Sequence, residues 1–391
     1  MNEDKDYRSQ LTCPALPNLD DFESIRNSKI DMNLTVYHKP TVRDSAVADP
    51  RMFFDINQTA YKFVTDLEQP CDIQLIELER PKDLEPETRA NTKIQVKLDI
   101  FHTCEYRLEG IVNNTPKDCY LITIATSKNY KNHPNLIFND FIFNRTKAYY
   151  SRFLFSNDTV KWYWKNDQSY VIPEHPDATH KTKIYVAPNR TYLNNPWRTI
   201  KFRPRLVQRL LHQWKDKGYI GENDFDKQCF LISHVQMPEC SNIQTLIQTA
   251  KNPIYNEGYE GYCPPHNQYY MDSFISIYAE TIEHGPSIVV SEKTYDPLIK
   301  GHFILPFSCS GFVARLRELG FLFPDFINYS YDDQPNDEKR FDLYLQEMQR
   351  LLNLDIDIWR TNWSQNLSVI THNQKIFKNR PYDRVDFSKI L

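Results

Sequence analysis

The sequence predicts an α/β protein of two halves followed by a helical tail. Three observations carry that expectation. The chain has 391 residues, enough for two domains at roughly 150 residues each. Between residues 183 and 320 the apolar pattern alternates strand, helix, strand, helix. That is the rhythm of a mostly parallel sheet with helices packed on it. Before residue 141, several short aliphatic and β-branched runs read as strands.

Taken in order, residues 1–70 are polar and irregular, with Pro14, Pro17, Pro40 and Pro50 and no clear periodicity. Strand character follows at IQLIEL (73–78), KIQVKLDIF (93–101), CYLITIAT (119–126) and NLIFND (135–140). FNRTKAYYSRFLF (143–155) reads as a helix whose Arg145, Lys147 and Tyr149 start near the end of that last strand. VIPEHPDATHKTK (171–183) reads as a linker, so the boundary is expected near residue 180. Beyond it, KIYVA (183–187) is a strand. PRLVQRLLHQWKDKG (204–218) carries a helical stripe closed by Gly218. QCFLISH (228–234), SFISIYAE (273–280) and HFILPF (302–307) read as strands, SEKTYDPLIKG (291–301) and GFVARLRELG (311–320) as helices. Two helical stretches, 337–354 and 358–379, close the chain. The expected units are 1–180, 181–355 and a tail, 356–391.

Composition removes several classes. The chain has nine glycines, against roughly 27 at the usual frequency of about 7%. Neither GxGxxG nor GxxxxGK[ST] occurs, so a glycine-rich phosphate cradle is excluded. A nucleotide would have to be held by side chains and helix ends. The net charge of −4 argues against strong overall attraction to nucleic acid or anionic membrane. No apolar run approaches 18 residues and the first ten residues lack a signal-peptide core, which reads as a cytoplasmic protein. The eight cysteines form no CxxC pair and read as buried thiols rather than zinc ligands.

The strongest local signal is residues 287–321. Ser291 is a plausible N-cap, with Glu292 and Lys293 at the mouth of a short helix and Thr294 and Tyr295 in its first turn. In a parallel sheet, ligands sit outside the carboxyl ends of the strands, where helix N-termini present free N–H groups. Lys293 there could pair with a diphosphate, and Glu292 could accept from ribose hydroxyls. The plain alternative is a surface helix with an ordinary cap.

The same segment resembles the donor-binding motif of nucleotide-sugar glycosyltransferases of the two-domain GT-B type. It is similar to the E-K-x-x-x-A/P-x-x-x-G-x-x-P-I pattern of fucosyltransferase-like enzymes. It is closer to phage and bacterial glycosyltransferases that carry T-E-K-T-[FY]-x-P-I-x-x-x-[HQ]-P-F-I. Glu292, Lys293, Thr294, Tyr295, Pro297, Gly301, Phe303 and Ile304 stand at those positions, with the His-Pro-Phe-Ile form shortened to His302-Phe303-Ile304. LRELGF (316–321) and NYSYDD (328–333) also resemble that group, with Asn328 in place of its usual acid. The resemblance covers roughly residues 183–355.

What the resemblance implies is two Rossmann-like domains facing a cleft, the second gripping a nucleotide diphosphate-sugar. Asn189 and Arg190 match an Asn-Arg element after the first strand of that domain, and Arg205 is the best match for its second arginine. Arg190, Arg205 and Lys293 would neutralise the leaving diphosphate, with no metal and no resident cofactor, the sugar nucleotide being a co-substrate. Glu280, at a strand end just before the motif, is expected either to contact the sugar or ribose or to serve as a structural carboxylate. Asp140 is the candidate general base in the acceptor-binding half, its alternative being an N-cap. Asp99, His102 and His133 are weaker candidates. Asp224-Phe225-Asp226 and Asp355-Ile356-Asp357 match the acidic string of metal-dependent transferases, but read as solvated turn or helix-start residues.

The expected activity is therefore transfer of a sugar to a hydroxyl acceptor, a glycan or a hydroxymethylated DNA base in a phage setting. Two other classes stay open. A nucleic-acid-binding protein would use the aromatic and basic residues at 145–155 and 161–165 with the basic helix after 203. A transferase-derived scaffold would have no activity.

Overall fold

The structure is a computed structural model. It describes residues 30–38, 53–54, 59–64, 66, 68–77, 92–99, 108–113, 115, 119–130, 132–150, 178–187, 202–220, 267–280, 282–387 and 390–391. Two parallel sheets organise them.

The first sheet contains β1 (Ile30–His38), β2 (Thr59–Val64), β3 (Cys71–Glu77), β4 (Thr92–Asp99), β5 (Cys119–Thr123) and β6 (Leu136–Phe138). Their spatial order is β2-β1-β3-β4-β5-β6, and every pairing is parallel. Helices α1 (Leu108–Asn113) and α2 (Phe141–Tyr150) follow β4 and β6. β1 and β2 fall in the stretch expected to be irregular, which corrects that reading. In β1, Ile30, Met32, Leu34 and Val36 alternate with Asp31, Asn33 and Thr35, the period-2 pattern of a strand. The burial of Leu34 and Val36 comes from neighbours distant in sequence, such as Ile73 opposite Val36.

The second sheet contains β7 (Tyr185–Ala187), β8 (Gly218–Ile220), β9 (Ile275–Ala279) and β10 (Phe303–Phe307), in the order β10-β9-β7-β8, again all parallel. Its helices are α3 (Phe202–Gln213), α4 (Asn267–Asp272), α5 (Glu292–Ile299), α6 (Phe312–Glu318) and α7 (Asp337–Leu352). Helices α8 (Ile356–Gln365) and α9 (Leu367–Asn379) complete the chain's helices among the described residues. Gly218 does not close α3 as expected. It opens β8 in extended conformation, at φ −163°, and a Cβ there would collide with the ring and carbonyl of Tyr185. The strand expected at 228–234 lies outside the described residues.

Burial explains why these runs became strands. All five residues of β9 and of β10 are buried, as parallel strands covered on both faces require. Pro306 is tolerated in β10 because β10 is an edge strand and needs no donor on its free side. That edge is covered. The hydroxyls of Tyr329 and Tyr331 donate to the carbonyls of Ile304 and Pro306, both at 2.8 Å.

Both sheets reverse strand order, the first between β1 and β3, the second at its centre between β7 and β9. In open α/β sheets the crevice at such a reversal, outside the carboxyl ends, is where ligands bind. The two sheets also meet near those ends. Beyond β5, Thr126 forms an antiparallel bridge with Ile288, which follows β9, through two N–H···O bonds of 2.8 Å.

The hydrophobic cores do not divide at residue 180. One cluster joins the first sheet with Tyr295, Leu298 and Ile299 of α5, Phe377 of α9, and Val385, Phe387 and Ile390 beyond it. The other joins the second sheet with α3, α7 and α8. Helix α5 is thus wired by sequence to the second sheet and packed by its apolar face into the core of the first. Among the described residues, no helix is long and apolar enough to cross a membrane.

Candidate functional site

The residues 291–295 are fixed by a carboxylate below them. Ser291 is the N-cap of α5, its Oγ accepting from the Lys293 N–H at 3.2 Å. Glu280, the first residue after β9, lies under that cap with no exposed surface. Its Oε1 accepts from the Ser291 N–H at 3.2 Å and from the Thr294 hydroxyl at 2.6 Å. The Thr294 Oγ1 is in turn 2.7 Å from the Tyr278 hydroxyl on β9. A negative carboxylate at a helix N-terminus also complements the helix dipole. This geometry supports the structural reading of Glu280: it holds the helix start at the reversal point of the second sheet. Pro297 sits inside α5 and has no N–H to give to the Lys293 carbonyl one turn back.

Glu292 and Lys293 are the partly exposed members of the motif, with side chains 15% and 12% exposed. Lys293 Nζ is 3.3 Å from Glu292 Oε1. The other carboxylate oxygen, Oε2, is 3.6 Å from a guanidinium nitrogen of Arg145 on α2. Burial acts to raise the Glu292 carboxyl. The charges of Lys293 and Arg145, together with hydrogen bonds to the carboxylate, more than offset it, so Glu292 stays below the ordinary glutamate range. Two cations thus share one carboxylate at the N-terminus of α5.

Tyr295 reaches the other way. Its ring is wholly buried, and its hydroxyl donates to Asp140 Oδ2 at 2.8 Å. Burial and the Asp140 charge both push the phenol well above its usual range. Asp140 Oδ2 also accepts from Arg380, at 3.0 Å, and Asp140 Oδ1 accepts from the Phe143 N–H at 3.2 Å, capping α2. Burial opposes the Arg380 cation, but Asp140 and Tyr295 outweigh it and raise its pKa. The Arg380 guanidinium lies 4.1 Å from the centre of the Phe143 ring. Asp140 is 5% exposed, and both oxygens are engaged. Its position supports the N-cap alternative over the general-base one. The expected neighbour Arg145 serves Glu292 instead.

The remaining sequence candidates separate. Arg205 on α3 pairs with Glu338 of α7 at 2.7 Å and stacks 4.6 Å from the centre of Phe341. Asn189, Arg190, His102, Asp224 and Asp226 lie outside the described residues. Asp355 caps α8 by accepting from the Asp357 N–H, and Asp357 pairs with Arg360 at 2.6 Å. Both are therefore helix-start residues, as read. No group of three or more His, Cys, Asp or Glu among the described residues is placed to hold a metal ion. Arg145 and Lys147 are buried, and Lys147 points its ammonium at the carbonyls of Lys378 and Arg380. That removes two basic groups from the surface that a nucleic-acid grip would need.

Sequence reasoning missed several residues that hold the site. Glu283 gives one carboxylate oxygen to the Phe202 N–H at 2.8 Å and the other to the Arg203 N–H at 3.0 Å, capping α3. Arg203 donates to the Glu280 carbonyl at 2.7 Å, and Arg340 donates to the carbonyls of Glu283 and Ser308 at 3.2 and 2.8 Å. These buried arginines brace the loop between β9 and α5. Asp383 binds the start of α2, accepting from the Asp140 N–H at 2.8 Å and donating its own N–H to Asn144 at 2.8 Å. Nothing local in the sequence marks these pairs.

No protein-family model matches the chain, and no curated protein matches it. Among solved structures, the chain is similar to a crystal structure of alpha1,3-fucosyltransferase, with a TM-score of 0.46 and 10% sequence identity. That alignment covers 96% of this chain and 93% of the other. The functional reading rests on the motif and the geometry around α5.

Proposed function

We propose that this chain is a glycosyltransferase that takes its sugar from a nucleotide diphosphate donor and gives it to a hydroxyl acceptor. One observation carries the reading. The Glu-Lys-Thr-Tyr segment lies on a capped helix whose N-terminus stands beside the carboxyl ends of two parallel sheets, with Lys293 and Glu292 partly exposed there. Residues 1–180 and 181–355 are taken as two Rossmann-like units around a cleft, with 356–391 as the tail.

In this reading, an acceptor oxygen bonds to the anomeric carbon as the bond from that carbon to the diphosphate breaks. The hydroxyl proton passes to a base or to solvent. The electron pair leaves with the nucleoside diphosphate, and Lys293 and the α5 N-terminus would stabilise the charge that builds there. Arg190 would add a bidentate contact. Arg205 would do so on exchanging Glu338 for phosphate. Glu292 would accept from the ribose hydroxyls. No resident cofactor or metal is invoked.

Calorimetry with UDP, GDP and their sugar conjugates tests this directly. Wild-type protein is expected to bind at least one, and Lys293→Ala to weaken that binding by tenfold or more. A flat titration across the panel, or an unchanged Kd in Lys293→Ala, would refute the reading.

A further inference from the structure

We propose that Arg145, a residue of the first half, is a positioning residue of the donor site: it orients Glu292 across the seam, so that recognition of a nucleoside diphosphate depends on both halves. The inference rests on the glycosyl-transfer reading and adds to it a residue that the motif does not contain.

The Arg145 side chain is 3% exposed, and its guanidinium is directed at Glu292 Oε2. Its helix is held against α5 by two further contacts. Tyr295 donates to Asp140 at the start of α2, and the Tyr295 and Phe143 rings pack edge to face with centroids 5.4 Å apart. Asp140, the carboxylate on Arg145's own helix, is occupied by Tyr295 and Arg380. The Arg145 guanidinium faces Glu292 across the seam.

The geometry differs from that of a pair built for stability alone. Charge-assisted Arg–carboxylate bonds close to about 2.8 Å and are often bidentate. Here the separation is 3.6 Å, and a second cation, Lys293, lies 3.3 Å from the other oxygen. Arg145 and Lys293 thus flank the Glu292 carboxylate, and a second carboxylate, Glu280, lies under the same helix N-terminus. The same two cations fix the carboxylate plane, so that Glu292 presents a set edge to ribose hydroxyls. Arg145 acts through Glu292.

The test is a double-mutant cycle on nucleotide affinity, using Arg145→Met, Arg145→Lys and Glu292→Gln, singly and combined. Nucleoside diphosphates and their 2′- and 3′-deoxy analogues are titrated by calorimetry. Arg145→Met and Glu292→Gln are each expected to weaken the ribonucleoside diphosphate by about tenfold, and the double variant to be little worse than either. Arg145→Met should also reduce the penalty for removing ribose hydroxyls, which a purely structural role would leave alone, and Arg145→Lys should restore part of it. If Arg145→Met fails to fold, Arg145→Lys combined with Glu292→Gln supplies the cycle. Wild-type binding with fully multiplicative losses, or an unchanged deoxy penalty, overturns this inference and leaves the transferase reading standing. No wild-type binding to any nucleotide overturns both.

Discussion

Asp140 separates two ideas about this protein, and its substitution by Ala and by Asn distinguishes them. Asp140→Ala removes an N-cap bond to Phe143, a bond from the buried Tyr295 hydroxyl and the partner of Arg380. A lost N-cap costs about 1 kcal/mol. Leaving a buried guanidinium and a buried phenol without their acceptor costs roughly 2–4 kcal/mol more, discounted because the Arg380 side chain is 19% exposed. The expected loss is about 3–4 kcal/mol. Asp140→Asn keeps an oxygen for the cap or for Tyr295 and loses the charge opposite Arg380, so about 1–2 kcal/mol is expected. Urea denaturation, followed by tryptophan fluorescence, reads both. Turnover of a sugar nucleotide, measured on the folded fraction, supplies the second axis. The N-cap reading expects those stability losses, with turnover of Asp140→Asn within about tenfold of wild type. A general base expects the reverse pattern: stability near wild type and turnover down by about 10²–10⁴. That second outcome would refute the reasoning.

Three further perturbations follow from the same geometry. Glu280→Gln keeps an acceptor for Thr294 and is expected to retain nucleotide affinity within about threefold, while Glu280→Ala loosens α5 and costs roughly 2–3 kcal/mol. Loss of turnover in a stable Glu280→Gln would assign Glu280 a chemical role instead. Glu283→Ala strips both acceptors from the start of α3, for about 2–4 kcal/mol by chemical denaturation, and Glu283→Gln should lose less than half as much. Lys147 is pushed down to about 8 by burial and by the neighbouring Arg380 charge. Between pH 8 and 10.5 the unfolded chain then holds more protons than the folded one, so this group's contribution to stability rises with pH across that window. Carbon-13 NMR of labelled lysine should show one resonance titrating near pH 8 that disappears in Lys147→Met, and the rise in stability should be smaller in that variant.

Legibility in the sequence followed the range of the interactions. Strands β5, β9 and β10 announce themselves as dense apolar runs, the local signature of a strand buried on both faces, and β4 by its alternation of Ile94, Val96 and Leu98 with polar residues. Helix α5 was readable from Ser291 and the residues after it, since a cap is a contact two residues long. β1 and β2 were passed over although Ile30, Met32, Leu34 and Val36 alternate with Asp31, Asn33 and Thr35 at the period of a strand, and β2 pairs with β1 at the edge of the sheet. The site divided along the same line. Glu292 and Lys293 stood out by spacing, whereas the Arg145–Glu292 and Tyr295–Asp140 contacts link residues 147 and 155 positions apart, set by how two cores share α5. The length of a side chain says nothing about which distant carboxylate it will meet. Arg145 stands five residues after Asp140 in sequence and meets Glu292 in space.

The return of residues 380–390 to the first sheet has a consequence for how the protein is made. Phe387 stacks on Phe54 with ring centres 5.7 Å apart, and Val385 and Ile390 share its core. Arg380 follows its partner Asp140 by 240 residues. At about 5–20 residues per second, a ribosome needs roughly 10–50 s to cover that distance. Throughout that interval the first sheet is threaded but uncapped, with Phe53 and Phe54 lacking Phe387. The nascent chain therefore spends tens of seconds as a sticky intermediate, and holdase chaperones are expected to meet it in that window. Synthesis rate, more than final stability, should govern how much of it reaches the folded state.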